Sequence, residues 1–311
     1  MTRRTKSSET EGLREELVAL VHGLQARLKQ PELRAKVRAL VPVVHKLKDL
    51  GCSLIPEEDA SSARDRILFY MRRYLQTIVT GDELFVVSGI GEWARRVREL
   101  RVQFGWPLIS GLTANEMLNE GEFPLPGVDA SGMKPDHYIL LEDRNDPEAA
   151  HRWNQANEIR RGSESVRDKI LALLRKNVGK HVTGEELRYV ANNKTEWARR
   201  VRELRTEYGW PVSTKVAGRP DLPIGVYVLE QDRQSPVHDR KIDDGVRMEV
   251  LQRDKNTCKH CGWKQAMWTP TEPRHLELHH KVHHVDGGEN TAGNLITLCT
   301  RCHDKVHRKE K

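Results

Sequence analysis

The sequence predicts a multidomain α+β protein: an N-terminal helical hairpin, a duplicated domain of helices followed by strands, and a small C-terminal module stapled by zinc. Three observations predict it. Leucine and valine recur at steps of mostly four and three through residues 11–50, one long stretch is written twice, and two Cys-x-x-Cys pairs stand near the C-terminus. Composition agrees, since 311 residues with 37% hydrophobic but only 5% aromatic content suit several small helical modules better than one large core.

The arm, residues 1–58, carries Leu13, Leu17, Leu20 and Leu24, then Leu33, Val37, Leu40, Val44 and Leu47. That spacing lines one face of each of two helices, broken near Pro31. Two outcomes stay open: the hairpin packs on the domain that follows, or it pairs with a second chain as a homodimer. Cys52, in the same apolar helical context, reads as a buried free thiol.

The duplication spans residues 59–145 and 164–232. Thr80-Gly81-Asp82-Glu83-Leu84, Glu92-Trp93-Ala94-Arg95-Arg96-Val97-Arg98-Glu99-Leu100-Arg101 and Gly105-Trp106-Pro107 return as Thr183-Gly184-Glu185-Glu186-Leu187, Glu196-Trp197-Ala198-Arg199-Arg200-Val201-Arg202-Glu203-Leu204-Arg205 and Gly209-Trp210-Pro211. Each copy reads as an amphipathic helix, a short Thr-Gly-led helix and a Trp-bearing helix, then a pair of strands ending near His137–Leu141 or Gly225–Leu229. Trp93, Val97, Leu100 and Phe104, with Trp197, Val201, Leu204 and Tyr208, fall on one face and are assigned to the core. Polar stretches over 143–164 and 231–245 look like connections, with residues 146–163 the linker between the copies.

Three helices followed by a hairpin resemble winged helix-turn-helix domains. By that resemblance the third helix enters the major groove of double-stranded DNA, presenting Arg95, Arg98 and Arg101 in one copy, and Lys194, Arg199, Arg202 and Arg205 in the other. The copies differ where base edges are met, Ser88-Gly89-Ile90-Gly91 against Asn192-Asn193-Lys194-Thr195, so the two modules are expected to read different bases. The longer first wing, residues 112–134, is expected to add minor-groove or backbone contacts.

A formal net charge of +7 from 52 Lys and Arg against 45 Asp and Glu favours a polyanionic partner. The basic start has no apolar stretch behind it and no segment approaches the length of a membrane span, so neither a secretory signal nor a membrane protein is expected. Free thiols that hold zinc need a reducing compartment, which points to the cytoplasm.

In the last module, residues 233–311, Leu276–Lys281 alternates apolar and polar residues as a half-buried strand does, Gly287-Gly288 supplies a loop, Leu295–Leu298 gives a second strand, and Cys299-Thr300-Arg301-Cys302-His303 opens a helix through His307. Cys258, Cys261, Cys299 and Cys302 have the spacing of a structural zinc site. With so few large apolar residues, zinc binding would supply the folding free energy, on the order of 10 kcal/mol. A purely structural knuckle needs no histidine, yet eight of the fourteen fall between His260 and His307.

Arg253-Asp254, Cys258-x-x-Cys261-Gly262, Leu278-His279-His280, Gly287-Gly288, Asn294-Leu295 and Leu298-Cys299-x-x-Cys302-His303 resemble the HNH endonucleases, or ββα-metal nucleases, and especially their cysteine-bearing restriction-type branch. The resemblance implies that His280 is the general base, that His279 and His303 ligate a catalytic Mg²⁺ or other divalent cation such as Mn²⁺, and that Asn294 holds the loop that positions the base. His307, one turn after His303, is either a third metal ligand or a solvated histidine. Adjacent strand residues point to opposite faces, so His279 and His280 share a pocket only if the strand end twists, and their roles could be exchanged. The function so implied is a site-specific DNA endonuclease of restriction type. Two rivals are a modification-dependent enzyme cutting methylated DNA, disfavoured by the lack of an obvious aromatic cage, and a winged-helix regulator with an inactive zinc module.

Overall fold

The structure, a computed structural model, describes residues 10–235, 241–269, 274–282 and 287–309, with backbone alone at 307–309. It is mixed α+β. The chain divides into two compact units, Met1–Ser110 with Lys134–Ala149, and Gly111–Met133 with Ala150–Lys311. No helix among the described residues is long and apolar enough to cross a membrane.

The first unit opens with α1 (Thr10–His22), α2 (Leu24–Arg27) and α3 (Leu33–Ser53). α1 and α3 run antiparallel: the Thr10 hydroxyl donates to the Ser53 carbonyl at 3.2 Å, and Lys46 pairs with Glu16. Beyond them α4 (Ala63–Arg73) is capped by Ser62, whose hydroxyl accepts from the Asp65 amide, and α5 (Gly81–Ser88) by a reciprocal box between Thr80 and Glu83. α5 stops at Gly89, which is left-handed (φ +68°) and leaves no room for a Cβ beside the Cys52 sulfur. Cys52 is half-buried there rather than buried, its thiol facing the Ser88 carbonyl.

α6 (Trp93–Val102) completes the three-helix set, and β1 (Leu108–Ser110) pairs antiparallel with β2 (Tyr138–Leu140), to which Val79 adds a bridge. Ile67, Met71, Leu84, Val97, Leu100 and Leu140 form the core. Phe104, expected inside, is 39% exposed, with the Arg64 guanidinium over its ring at 4.4 Å. The cation covers the ring face and lets the aromatic sit at the rim.

In the second unit, α9 (Val166–Lys176), β3 (Val182–Thr183), α10 (Gly184–Val190), α11 (Trp197–Thr206), β4 (Val212–Ser213) and β5 (Val226–Leu229) repeat that order, with the strands arranged β3-β5-β4, all antiparallel. Two segments depart from expectation. Residues 149–160, read as linker, form α8 (Ala149–Arg160), whose buried Arg152 pairs at 2.9 Å with Glu186 of the α10 capping box. The ion pair acts beside a short apolar contact, in which Trp153 and Ala156 are buried and Trp153 meets the Tyr189 ring edge to face.

Residues 111–133, expected as a long wing toward DNA, instead form α7 (Gly111–Asn119) and a 3-10 turn at Ala130–Gly132 within the second unit. Thr113, Ala114 and Met117 are buried, and Thr113 and Met117 reach Gly184 of α10. Burial of that apolar face consumes the segment. The chain ends with α12 (Asp244–Arg253), the hairpin of β6 (Leu276–His280) and β7 (Leu295–Cys299), and α13 (Thr300–Lys309).

Candidate functional site

β6 and β7 pair in the register Leu276↔Cys299 through His280↔Leu295. One face of β6, with Leu278, packs on Val250, Leu251 and Ile242; the opposite face presents Glu277 and His279. α13 follows β7 directly and brings His303 to that second face. The rings of His279 and His303 meet edge to face with centroids 5.2 Å apart, and both are buried.

Glu277 organises this face. Its carboxylate takes the His303 Nδ1 at 2.8 Å and the His275 Nε2 at 3.2 Å. Burial works against its charge, yet the hydrogen bonds from His275 and His303 hold the carboxyl well below the usual range. A carboxylate on Nδ1 of a histidine directs the other ring nitrogen outward, the arrangement that metal-bound histidines adopt. Two neighbouring imidazoles, one so backed, suit a divalent cation whose remaining positions go to water or substrate oxygens.

His280, the last residue of β6, is buried, and its Nε2 lies 2.7 Å from the Asn290 side-chain oxygen; Asn290 in turn donates to the Lys241 carbonyl. The next loop is clamped by Asn294. Its Nδ2 donates to the carbonyls of Val282 and Glu289, and its Oδ1 accepts from the Val282 amide at 2.9 Å. Gly288 passes so close to the Val282 carbonyl that any Cβ would collide with it, so the loop needs its glycine for space.

The four cysteines converge. Their sulfurs all lie within 4.8 Å of one another, and those of Cys261 and Cys299 are 3.7 Å apart. A tetrahedral zinc with bonds of about 2.3 Å needs sulfurs roughly 3.8 Å apart, so the donors fit. Burial opposes the Cys258 thiolate, but backbone amides of Cys299, Cys261 and His260 bring it down to about 7; the Cys302 thiol is pushed far up by burial and crowding. Thiols so crowded ionise together only with a cation among them. Trp263 and Leu298 pack on the cluster, and Arg253 with Asp254 tie it to β7, Asp254 accepting from the Thr297 amide at 2.9 Å.

Among the arginines expected to read DNA, Arg95 and Arg98 are exposed, Arg101 is half-buried, and Lys194 and Arg199 are exposed. Arg95 pairs with Glu99, and Arg199 with Glu203. Arg202 is half-buried against Glu120 at 2.7 Å. Arg205 is a correction: it is buried between Glu122 and Asp244, where no base edge can reach it. Its Nε and Nη2 donate to those carboxylates, and Glu122 also accepts from Thr214. His307 lies on α13 with its side chain outside the described residues, and His283 and His284 fall outside the described residues altogether.

Sequence reasoning missed Glu277, His275, Asn290 and Trp263. Only Glu277 carried a readable signal, standing two residues before His279 and therefore on the same strand face.

The family described as HNH endonuclease matches residues 258–309. The C-terminal module is thus an HNH endonuclease domain. A second family, described as the KpnI N-terminal domain, matches residues 64–141 and again 167–230, one match for each repeat. Among curated proteins the chain is similar to EcoKMcrA, a type IV methyl-directed restriction enzyme of Escherichia coli (strain K12), at 32% identity over 79 residues. That match covers 25% of this chain and 28% of the relative. No solved structure matches the chain.

Proposed function

We propose that the protein is a site-specific DNA endonuclease of restriction type, hydrolysing phosphodiester bonds with His280 as general base and one divalent cation, Mg²⁺ or Mn²⁺, beside His279 and His303. The observation that carries the reading is the buried meeting of His279, His303 and Glu277 at the end of the hairpin, with the next residue of the strand, His280, held by Asn290. A neutral imidazole whose Nε2–H donates to Asn290 keeps its lone pair on Nδ1, the nitrogen that accepts the proton from water.

Asn294 and Gly288 hold the loop beyond His280, and Glu277 fixes the ring of His303. A divalent cation there would stabilise charge on the phosphate and the leaving oxygen. The four cysteines would hold a structural zinc that joins β7 and α13 to the knuckle at Cys258. The repeats are read as winged helices, with Arg95, Arg98, Lys194 and Arg199 facing double-stranded DNA.

The name of the methyl-directed relative favours a second reading, in which only methylated DNA is cut. Against it, a cleft of about 810 Å³ between the second repeat and the zinc knuckle contains Trp268 as the one Phe, Tyr or Trp ring among its described lining residues, too few to sandwich an extruded base. Incubating the protein with methylated and unmethylated plasmid DNA plus Mg²⁺ or Mn²⁺, then sequencing the ends, separates the two. His280→Ala should keep DNA binding and lose roughly 10²–10⁴-fold in cleavage. An equally active variant, or a wild type that cuts neither DNA, would remove the proposal.

A further inference from the structure

We propose that α3 carries a self-association surface through which two copies of this chain pair. From Leu33 the apolar residues step by four, three, four and three to Val37, Leu40, Val44 and Leu47, which places valine at the a positions and leucine at the d positions of two heptads. In the chain by itself this seam faces water: Leu33 is 75% exposed, Val37 53%, Leu40 41%, Val44 46% and Leu47 52%. α1 does not cover it. α1 packs on the side of α3 that carries Ala39, which is buried, and Lys46, which pairs with Glu16.

The pattern names its occupant. A β-branched residue at a with leucine at d favours two strands, and a seam repeated along one helix is complementary to itself. With Val41 beside it, the seam offers roughly 500 Å² of side-chain surface per chain, so that a pair would bury about 1,000 Å², the size at which specific interfaces begin. Apolar patches of this extent on a monomer are often functional. Pro42, which interrupts the ladder of α3, falls at f, the position farthest from the seam, where a missing amide does not disturb pairing. Arg34, Lys36 and Lys48 flank the seam at its e and g positions. Like charges would face one another across the pair, so added salt should tighten it, opposite in sign to the effect of salt on DNA binding.

The functional consequence rests on the nuclease reading: two copies supply two cutting centres, one for each strand. The pairing itself is tested without DNA, so its failure and the failure of the nuclease reading are distinguishable. Sedimentation equilibrium of the full chain should show a dimer that forms in the micromolar range and strengthens with salt. The double variant Leu40→Asp, Val44→Asp should associate at least about tenfold more weakly, which is 1.4 kcal/mol, with an unchanged circular dichroism spectrum because both side chains are solvent-facing. Amide exchange across residues 33–47 should be slower in the wild type than in the variant. A wild type still monomeric at about 100 µM, a variant that dimerises as well as the wild type, or slowed exchange over the seam in a monomer would each overturn the proposal.

Discussion

α6 and α11 carry the same nine residues, Trp-Ala-Arg-Arg-Val-Arg-Glu-Leu-Arg, and they meet different surroundings. In the first repeat Trp93 is half-buried and Arg98 is exposed. In the second, Trp197 is fully buried, Arg202 meets Glu120, and Arg205 is enclosed by Glu122 and Asp244. The extra partners come from residues 111–133, which lie between the two strands of the first repeat in sequence but belong to the second unit, and from the start of α12. An identical helix is thus left as an exposed basic face in one copy and converted to a structural strut in the other. The lesson is that a charge pattern fixes what a helix face can do, and its neighbours fix what it does.

The largest test of this contrast is Arg205→Ala against Arg98→Ala. Removing a buried cation from two carboxylates should cost about 3–5 kcal/mol, whereas the exposed arginine should change stability by no more than about 0.5 kcal/mol. Urea unfolding followed by tryptophan fluorescence reads both, and equal effects would erase the distinction. The same cluster sets an acid limit. Burial works against both charges, yet the pairing holds Arg205 above and Asp244 below its ordinary value. A depressed carboxylate stabilises the fold above its unfolded pKa of about 3.9, and that stability is lost as pH falls through the folded value. Arg205→Ala should therefore flatten the acid side of the stability profile.

A smaller effect is expected on DNA. If α6 faces phosphates, Arg98→Ala should lower the slope of log affinity against log salt by about one, whereas a folded charge-conserving change at the other site, Arg205→Lys, should leave that slope alone. Identical slopes for Arg98→Ala and the wild type would deny the first repeat its basic role. The smallest difference lies at the helix starts. Glu196 is left-handed at φ +64° while its counterpart Glu92 sits at φ −89°. Glu196→Gly should therefore gain about 1 kcal/mol from relieved strain, and Glu92→Gly should gain nothing. Thermal unfolding of the pair decides it.

The zinc and histidine stations were legible because their chemistry demands fixed residue types at short spacings: Cys258, Cys261, Cys299 and Cys302 converge, and His279 meets His303. The repeat was legible because it is spelled twice. Less of the supporting shell could be read. Asn290 is an ordinary loop asparagine until the hairpin closes and sets it against His280 ten residues earlier. α8 hid for a related reason: Arg152 and Glu186 recognise each other across thirty-four residues, and its buried apolar residues, Ala149, Trp153 and Ala156, are too small a set to stand out in a polar stretch.

By itself the sequence determined the elements whose cause is local: the capped helices after Ser62, Thr80, Ser165 and Thr183, the strand alternation before His280, and the thiol pairs that one cation can hold. Tertiary structure alone decided which arginines reach solvent, where residues 111–133 pack, and how Glu277 and Asn290 orient the histidines. Caps and alternation depend on neighbours within one turn or one pleat. Burial of a charge depends on which distant carboxylate arrives to meet it, and no local pattern records that.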